Sequence, residues 1–134
     1  MAKTTTLKIR IDWSELDLFG HVNNLNYFKY AQAGRLSFFD HAGWSQNEKV
    51  TPIGPILART ECDFIVPLKF PGQVEVQTTV KEIGNTSFKL AHQIISANQL
   101  SAQVNDVIVC FDFVKQVKAE MPAWLRKTLL ENLG

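Results

Sequence analysis

The sequence predicts an α+β domain in which one long helix packs on a single antiparallel sheet of about five strands, with a short helix near the C-terminus. Residues 24–42 carry apolar side chains at helical spacing, whereas five other runs have the alternation or composition of strands. The turn sequences Gly84-Asn85 and Asn98-Gln99 join neighbouring runs as hairpins do, so these strands are expected to be antiparallel. One long helix cannot cover both faces of a sheet, which predicts a homo-oligomer that hides a face or an edge.

Length and composition fit a single domain that spans residues 1–134. Hydrophobic residues make up 46% of the chain and charged residues 20%, which is ordinary for a soluble protein. The net charge of +1 gives no electrostatic basis for a nucleic-acid partner. No apolar run is long enough to cross a membrane, and the first residues do not resemble a signal peptide. We therefore expect a cytoplasmic protein with no nucleic-acid or membrane partner.

Alternation and helical spacing define the first strand and the long helix. Apolar and charged residues alternate over residues 7–12, as in a strand with one exposed face. Asn23 or Asn24 can cap the start of the helix, and Gly43 can end it in the left-handed conformation. Gly34, in the middle of the helix, costs about 1 kcal/mol relative to alanine. The close approach of another backbone would explain that cost, and it predicts a helix pressed against a sheet.

Four more strands and a closing helix follow. A loop is expected at residues 51–55, which contain two prolines and a glycine. The strand-like runs after it cover residues 56–66, 74–83, 87–97 and 104–117. Pro122 is well placed as the first residue of the closing helix. Cys62 and Cys110 lie inside strand-like runs without metal-ligand spacing, so we expect buried, reduced thiols.

The segment at residues 13–24 departs furthest from what folding alone requires. Asp17 lies just before the long helix, whose first backbone N–H groups have no helical partners. A carboxylate can attack a carbonyl or activate water, and those N–H groups with the helix dipole can stabilise an oxyanion. A loop aspartate can equally be a solvated residue or a helix cap. The apolar neighbours Leu16, Leu18 and Phe19 favour the catalytic interpretation, because they predict a desolvated carboxylate.

This segment contains a motif that continues along the chain through Arg35, Val66-Pro67, Gly84 and Pro122; the motif is Asp17-x-x-Gly20-His21-Val22-Asn23-Asn24-x-x-Tyr27. These residues and their spacing resemble the signature of hotdog-fold thioesterases related to 4-hydroxybenzoyl-CoA thioesterase. The resemblance implies a curved antiparallel sheet that wraps the long helix, and two subunits whose sheets join into one. It also implies active sites at the subunit interface of a homodimer or homotetramer.

The same resemblance implies an acyl-CoA thioesterase, which hydrolyses an acyl-CoA to the free acid and CoA. Asp17 would be the nucleophile or the general base, and the backbone N–H of Asn24 would form the oxyanion hole. Gly20 would serve the backbone conformation of the loop or a close approach of the substrate. His21 would orient Asp17, bind substrate or pack within the loop. The residues expected to bind substrate are Phe19, Asn23, Tyr27 and Phe28.

No cofactor is expected, since CoA is part of the substrate, and no metal site is expected, since no ligand spacing suggests one. One alternative is a hotdog hydratase or dehydratase that acts on acyl thioesters with His21 beside Asp17. Another is a non-catalytic acyl-CoA-binding module, because one scaffold can host all three functions. The identity of the acyl group, and the choice between CoA and acyl carrier protein, are left open by the sequence.

Three polar residues outside the loop also carry expectations. Arg35 is expected to form an ion pair in the subunit interface or to bind the CoA pyrophosphate. Many relatives carry a glutamate three residues before this arginine, where the present chain has Gln32, so Asp17 is expected to carry the chemistry. His92 lies on an apolar strand face and is expected to be hydrogen-bonded in the core or the interface.

Overall fold

The computed structural model describes residues 4–44 and 52–134. Six strands lie within them: β1 (Thr5–Arg10), β2 (Ile53–Phe64), β3 (Gln73–Ile83), β4 (Ser87–Ser96), β5 (Gln99–Asp112) and β6 (Val117–Lys118). The helices are α1 (Asn24–His41) and α2 (Ala123–Glu131), and a 3-10 turn (Trp13–Glu15) follows β1. Each predicted helix and strand is present, with ends that differ from the prediction by a few residues.

The strands form one antiparallel sheet in the order β1-β3-β4-β5-β2, and β6 pairs with the end of β5. Helix α1 packs across the inner face of this sheet and contacts β1, β3, β4 and β5. This arrangement confirms the predicted hotdog fold, in which an antiparallel sheet curves around one long helix. Strand β2 is the outermost strand at one edge of the sheet.

Three predicted boundaries were wrong. The predicted loop at 51–55 belongs to β2 from residue 53 onward, because Gly54 and Pro55 pair with β5 at a sheet edge, where proline is tolerated; position 51 lies outside the described residues. The β4–β5 turn is Ala97-Asn98, one residue earlier than predicted, and both residues have positive φ, as in a type I′ hairpin. Pro122 caps α2 and does not form its first residue.

The run at 104–117 was wrongly predicted to be one strand. Strand β5 ends at Asp112, whose Oδ1 accepts hydrogen bonds from the N–H groups of Val114 and Lys115, both at 2.9 Å. Gln116 has a φ of 58°, which reverses the chain into β6. Hydrogen bonds from this aspartate to the following backbone therefore turn an apolar run that otherwise has strand composition.

Two apolar clusters fill the space between α1 and the sheet. We call the first the loop-side core; its members are Ile11, Val22, Tyr27, Tyr30, Ala31, Leu68, Val74, Val76, Ile94, Ala102 and Val104. We call the second the α2-side core; its members are Phe38, Ala42, Trp44, Val80, Phe88, Leu90, Ile108, Cys110, Met121, Leu125 and Leu129. Each of β3, β4 and β5 contributes to both clusters, and so does α1.

A polar layer, the central network, separates the two cores and consists of Arg35, Thr78, His92 and Asp106. Asp106 Oδ2 accepts from Arg35 at 2.8 Å and lies 2.6 Å from His92 Nε2. Because a carboxylate only accepts, that nitrogen carries a proton, and Nδ1 of a neutral imidazole can accept from the Thr78 hydroxyl at 2.7 Å. His92 is thus a hydrogen-bonded core residue, as predicted, whereas Arg35 pairs within its own chain.

Gly34 lets α1 approach the sheet at this level. A Cβ at this position would lie 2.6 Å from Val76 Cγ1 and 3.2 Å from Thr78 Oγ1. The helix is therefore pressed against β3 as predicted, although side chains and not a backbone make the close approach. Gly43, with a φ of 88°, follows the last turn of α1 in the predicted left-handed conformation.

Candidate active site

The loop that carries Asp17 is a small closed hairpin. Leu16 pairs with Val22, the N–H of Asp17 donates to the carbonyl of His21 at 2.8 Å, and Gly20 donates back to the Asp17 carbonyl at 3.1 Å. Gly20 has a φ of 81°, and a Cβ there would meet nothing within 4 Å. The positive φ favours glycine at this position, and the close approach of a substrate stays a prediction.

The carboxylate of Asp17 is held by backbone donors of its own loop. Oδ1 accepts from the N–H groups of Phe19 at 2.9 Å and His21 at 3.3 Å. The contact from His21 to this carboxylate is thus made by its backbone N–H. The expected burial of Asp17 was wrong for the single chain: Asp17 is exposed, and the side chains of Leu18 and Phe19 are 95% and 85% exposed.

The N-terminus of α1 lies beside this carboxylate. Asn23 caps the helix, since its Oδ1 accepts from the N–H of Leu25 at 3.0 Å. Asn24 is the first helical residue, so its N–H has no partner within the helix. The positive end of the helix dipole reinforces that donor. A carboxylate and a helix N-terminus thus share one opening.

A pocket of about 400 Å³ connects these groups with an apolar wall. Its lining residues are Asp17, His21, Val22, Asn24, Tyr27, Phe64, Ile65, Val66 and Pro67. The ring of Tyr27 packs edge-on against Phe64, with centroids 5.0 Å apart, and its hydroxyl accepts from the N–H of Leu68 at 3.1 Å. Tyr27 is therefore fixed in the wall, and burial raises its pKa, so that the phenol stays protonated.

The structure brings four of the predicted site residues to this pocket: Asp17, His21, Asn24 and Tyr27. The other four predicted site residues are described by the structure but do not line this pocket; they are Phe19, Gly20, Asn23 and Phe28. Phe28 lies behind the wall, with its ring centroid 6.4 Å from that of Phe64. The roles predicted for these eight residues stay predictions.

Sequence reasoning missed two parts of the site. The first is the wall formed by residues 64–67, which long-range strand pairing carries to the loop; Val66-Pro67 belong to the motif, but no local signal places them at the pocket. The second is Glu15, which is 7% exposed and lies under the loop. A signal for Glu15 did exist, because Asp12 and Glu15 form a capping box around the 3-10 turn.

In residues 4–44 and 52–134, no three His, Cys, Asp or Glu side chains are grouped as a metal site would require. None of the helices in those same ranges combines the length and the apolar character that crossing a membrane requires.

Comparison with known proteins gives a consistent result. Residues 11–129 match the thioesterase-like superfamily. A predicted thioesterase from Bacillus stearothermophilus has a similar solved structure, with 26% identity, a TM-score of 0.88 and 98% of each chain covered. An aspartate-to-asparagine variant of 4-hydroxybenzoyl-CoA thioesterase, solved with 4-hydroxybenzoyl-CoA, has a TM-score of 0.86 at 21% identity, covering 96% of this chain and 99% of that one.

Similarity in sequence extends to an enzyme with another acyl carrier. A chloroplastic acyl-acyl carrier protein thioesterase from Arabidopsis thaliana is 37% identical over 79 residues, which cover 58% of this chain and 42% of that protein. The chain spans about half the length of the curated relatives it matches, 55% of one and 42% of the other.

Proposed function

The chain belongs to the thioesterase-like superfamily, and from that premise we propose that it hydrolyses an acyl-CoA thioester to the free acid and CoA. One observation carries the proposal: Asp17, which bears a carboxylate, and Asn24, whose N–H has no partner within the helix, line the same pocket. Thioester hydrolysis needs a group that attacks or activates water and a donor for the charge that develops on the carbonyl oxygen. These two residues supply both.

Asp17 carries the bond-forming step by one of two routes. As a nucleophile, its oxygen attacks the carbonyl carbon, the CoA thiolate leaves, and water then cleaves the mixed anhydride to regenerate the carboxylate. As a general base, it takes a proton from the water that attacks the carbonyl directly; the tetrahedral intermediate then expels the CoA thiolate, which takes up the proton. Turnover in ¹⁸O-labelled water tests the nucleophile route, because label in the Asp17 carboxylate can arise only from an anhydride that water cleaves at the Asp17 carbonyl.

Asn24 supports the reaction through its backbone. Its N–H, reinforced by the positive end of the helix dipole, donates a hydrogen bond to the oxyanion of the tetrahedral intermediate. Loss of one such donor typically costs about 3 kcal/mol of barrier. Because the donor belongs to the main chain, replacing the side chain of Asn24 removes none of it.

The apolar part of the pocket accommodates the acyl group. Its volume of about 400 Å³ falls in the ordinary range for a small-molecule site. Tyr27 closes the inner end, since it is 4% exposed and belongs to the loop-side core. Phe64, which is 50% exposed, forms the side that faces outward.

A second copy of the chain completes the site. Strand β2 is the outermost strand at one edge of the sheet. In the proposed dimer, two chains would pair through this strand to form one continuous sheet. Exposed apolar side chains, which in monomers mark interaction surfaces, lie near the pocket and at the end of β2. They are Trp13, Leu18, Phe19, Leu25, Phe64 and Ile65. The partner would cover them and remove water from around Asp17.

A panel of acyl-CoAs with a thiol-trapping dye tests the activity. The acyl groups should differ in length, branching and aromaticity, and each should also be offered on acyl carrier protein. We expect release of free CoA from at least one acyl-CoA. Addition or loss of water without release of CoA would indicate the hydratase alternative, and a thermal shift without any reaction would indicate a binding module. Hydrolysis only on acyl carrier protein would contradict the CoA assignment.

Light scattering tests whether two copies of the chain associate in solution. We expect a mass of at least twice 15.2 kDa at micromolar concentration. A mass of 15.2 kDa under those conditions would contradict the completed site.

A further inference from the structure

Glu15 is a buried carboxylate that the proposed reaction does not use. Its Oε1 accepts from the N–H of Asp12 at 2.7 Å and from the Tyr30 hydroxyl at 2.8 Å. Its Oε2 lies 3.3 Å from Nζ of Lys29. Burial opposes the charge, but the hydrogen bonds from Asp12 and Tyr30 and the Lys29 ammonium outweigh it and lower the pKa of Glu15. A carboxylate with these partners is held in one place.

The backbone of Glu15 is attached to the same helix. Its carbonyl accepts from the N–H of Asn23 at 2.8 Å and from Nδ2 of Asn26 at 3.1 Å. Asn23 is the cap of α1, and Asn24, the proposed oxyanion donor, follows it directly. Glu15 is therefore bound to α1 twice, by its side chain in the second turn and by its carbonyl at the N-terminus.

The closed hairpin of residues 16–22 begins directly after this attachment. Its other side is fixed to the segment before β3, where the N–H of Val22 donates to the carbonyl of Leu68 at 2.9 Å. Because the hairpin is closed by its own hydrogen bonds, it moves as one piece. The position of Asp17 relative to α1 is thus set by the attachment of Glu15.

We propose that Glu15 is a positioning residue, which fixes the carboxylate of Asp17 relative to the N–H of Asn24. The inference rests on the proposed function, because this spacing matters only if both groups act on one carbonyl. A displacement of about 1 Å in such an arrangement can cost about 100-fold in rate. The side chain of Glu15 itself touches no substrate, since it lies beneath the loop and outside the pocket wall.

Three variants of this attachment should be graded in their effect. Glu15→Ala removes every side-chain contact and should lower kcat at least about tenfold while KM changes less than about twofold. Glu15→Gln should restore most of the rate, because its amide oxygen still accepts from Asp12 and Tyr30. Tyr30→Phe removes only the hydroxyl that donates to Glu15. It is the smallest of the three changes and should lower kcat a few-fold.

A matched control separates positioning from general loss of stability. Leu129→Ala removes apolar contacts on α2, in the α2-side core and not in the loop-side core, and should lower the melting temperature with little change in kcat. At a temperature where both proteins are folded, a kcat for Glu15→Ala no lower than that of Leu129→Ala would overturn the proposal. In an Asp17→Asn background, Glu15→Ala should cause no further loss, since it acts through Asp17.

Amide hydrogen exchange tests the attachment without turnover. Glu15→Ala should speed exchange at Val22 and Asn23, whose N–H groups attach the hairpin to the segment before β3 and to the Glu15 carbonyl, and leave β4 amides unchanged. Unchanged exchange at these two amides would overturn the proposal even if kcat falls. If the wild type releases no CoA from any acyl-CoA, the proposed function and the positioning role fail together. If the wild type releases CoA but the kcat of Glu15→Ala is no lower than that of Leu129→Ala, the positioning role alone fails.

Discussion

The two ends of α1 lie in contrasting surroundings. The C-terminal end is enclosed by aromatic rings: the centroid of Trp44 lies 5.3 Å from that of Phe39, 5.8 Å from that of Trp124 and 6.3 Å from that of Phe88. The N-terminal end is open, with Asp17 in solvent. The central network separates the two surroundings.

This contrast indicates a division between stability and function. The α2-side core buries large apolar groups, as folding requires. The loop side keeps a carboxylate and a helix N-terminus unenclosed and exposes apolar residues around them, which folding alone would not favour. Changes at the closed end should therefore alter stability, whereas changes at the open end should alter turnover.

Phe88→Ala is expected to have the largest effect on stability. Phe88 is 1% exposed and packs between aromatic neighbours, so its removal should cost about 3–5 kcal/mol of unfolding free energy. Denaturant unfolding measures this loss, and kcat of the folded fraction should stay within a few-fold of the wild type. A large fall in kcat of folded protein would show that the two ends are not independent.

Asp106→Ala should come next, because it breaks the central network. It leaves Arg35 largely buried without its carboxylate, which typically costs about 3 kcal/mol. Burial disfavours the charge on Asp106, but His92 and Arg35 outweigh burial and lower its pKa. Because the folded pKa lies below the unfolded one, this stabilisation is present above the unfolded pKa and is lost as pH falls through the folded pKa.

The contribution of charge to this network is tested by measuring the free energy of unfolding as the pH is lowered. The difference in unfolding free energy between wild type and Asp106→Asn should shrink as pH falls through the acidic range. A difference that is constant with pH would mean that charge is not what this aspartate contributes.

Asn23→Ala should have a smaller effect, about 1 kcal/mol, because it removes the side-chain cap of α1. Asn23→Ser keeps a capping oxygen and should recover most of that stability. The melting temperatures of the two variants measure how much the capping side chain contributes to stability. Equal melting temperatures for the alanine and serine variants would show that this side chain contributes no capping free energy.

Chelation should have the smallest effect of all. Exhaustive treatment with EDTA is expected to leave turnover unchanged, because the proposed reaction uses a carboxylate and backbone donors. Loss of turnover that a divalent ion restores would contradict the expectation of a metal-free site.

The loop shows how far sequence could predict this site. The capping of α1 by Asn23 and the left-handed Gly43 follow from local chemistry, because each is determined by residues within one turn. The nearness of Asp17 to the helix N-terminus follows from their short separation in sequence. These features were predicted correctly because the interactions that fix them span few residues.

The features that sequence could not supply depend on distant pairing. Residues 64–67 reach the pocket only because β2 pairs with β5, an arrangement that no local pattern specifies. The exposure of Phe19 was missed because an apolar side chain in a loop carries no information on which way it points. Arg35 was assigned to an interface because its partner, Asp106, lies on a distant strand.

The central claim is that the carboxylate of Asp17 performs the chemistry, and Asp17→Asn tests it most directly. Asparagine keeps an oxygen that can accept from the N–H groups of Phe19 and His21, so the loop should keep its shape. We predict that kcat on the best acyl-CoA falls at least about 100-fold, while acyl-CoA affinity and melting temperature are kept. A folded Asp17→Asn protein whose kcat stays within a few-fold of the wild type would contradict the claim.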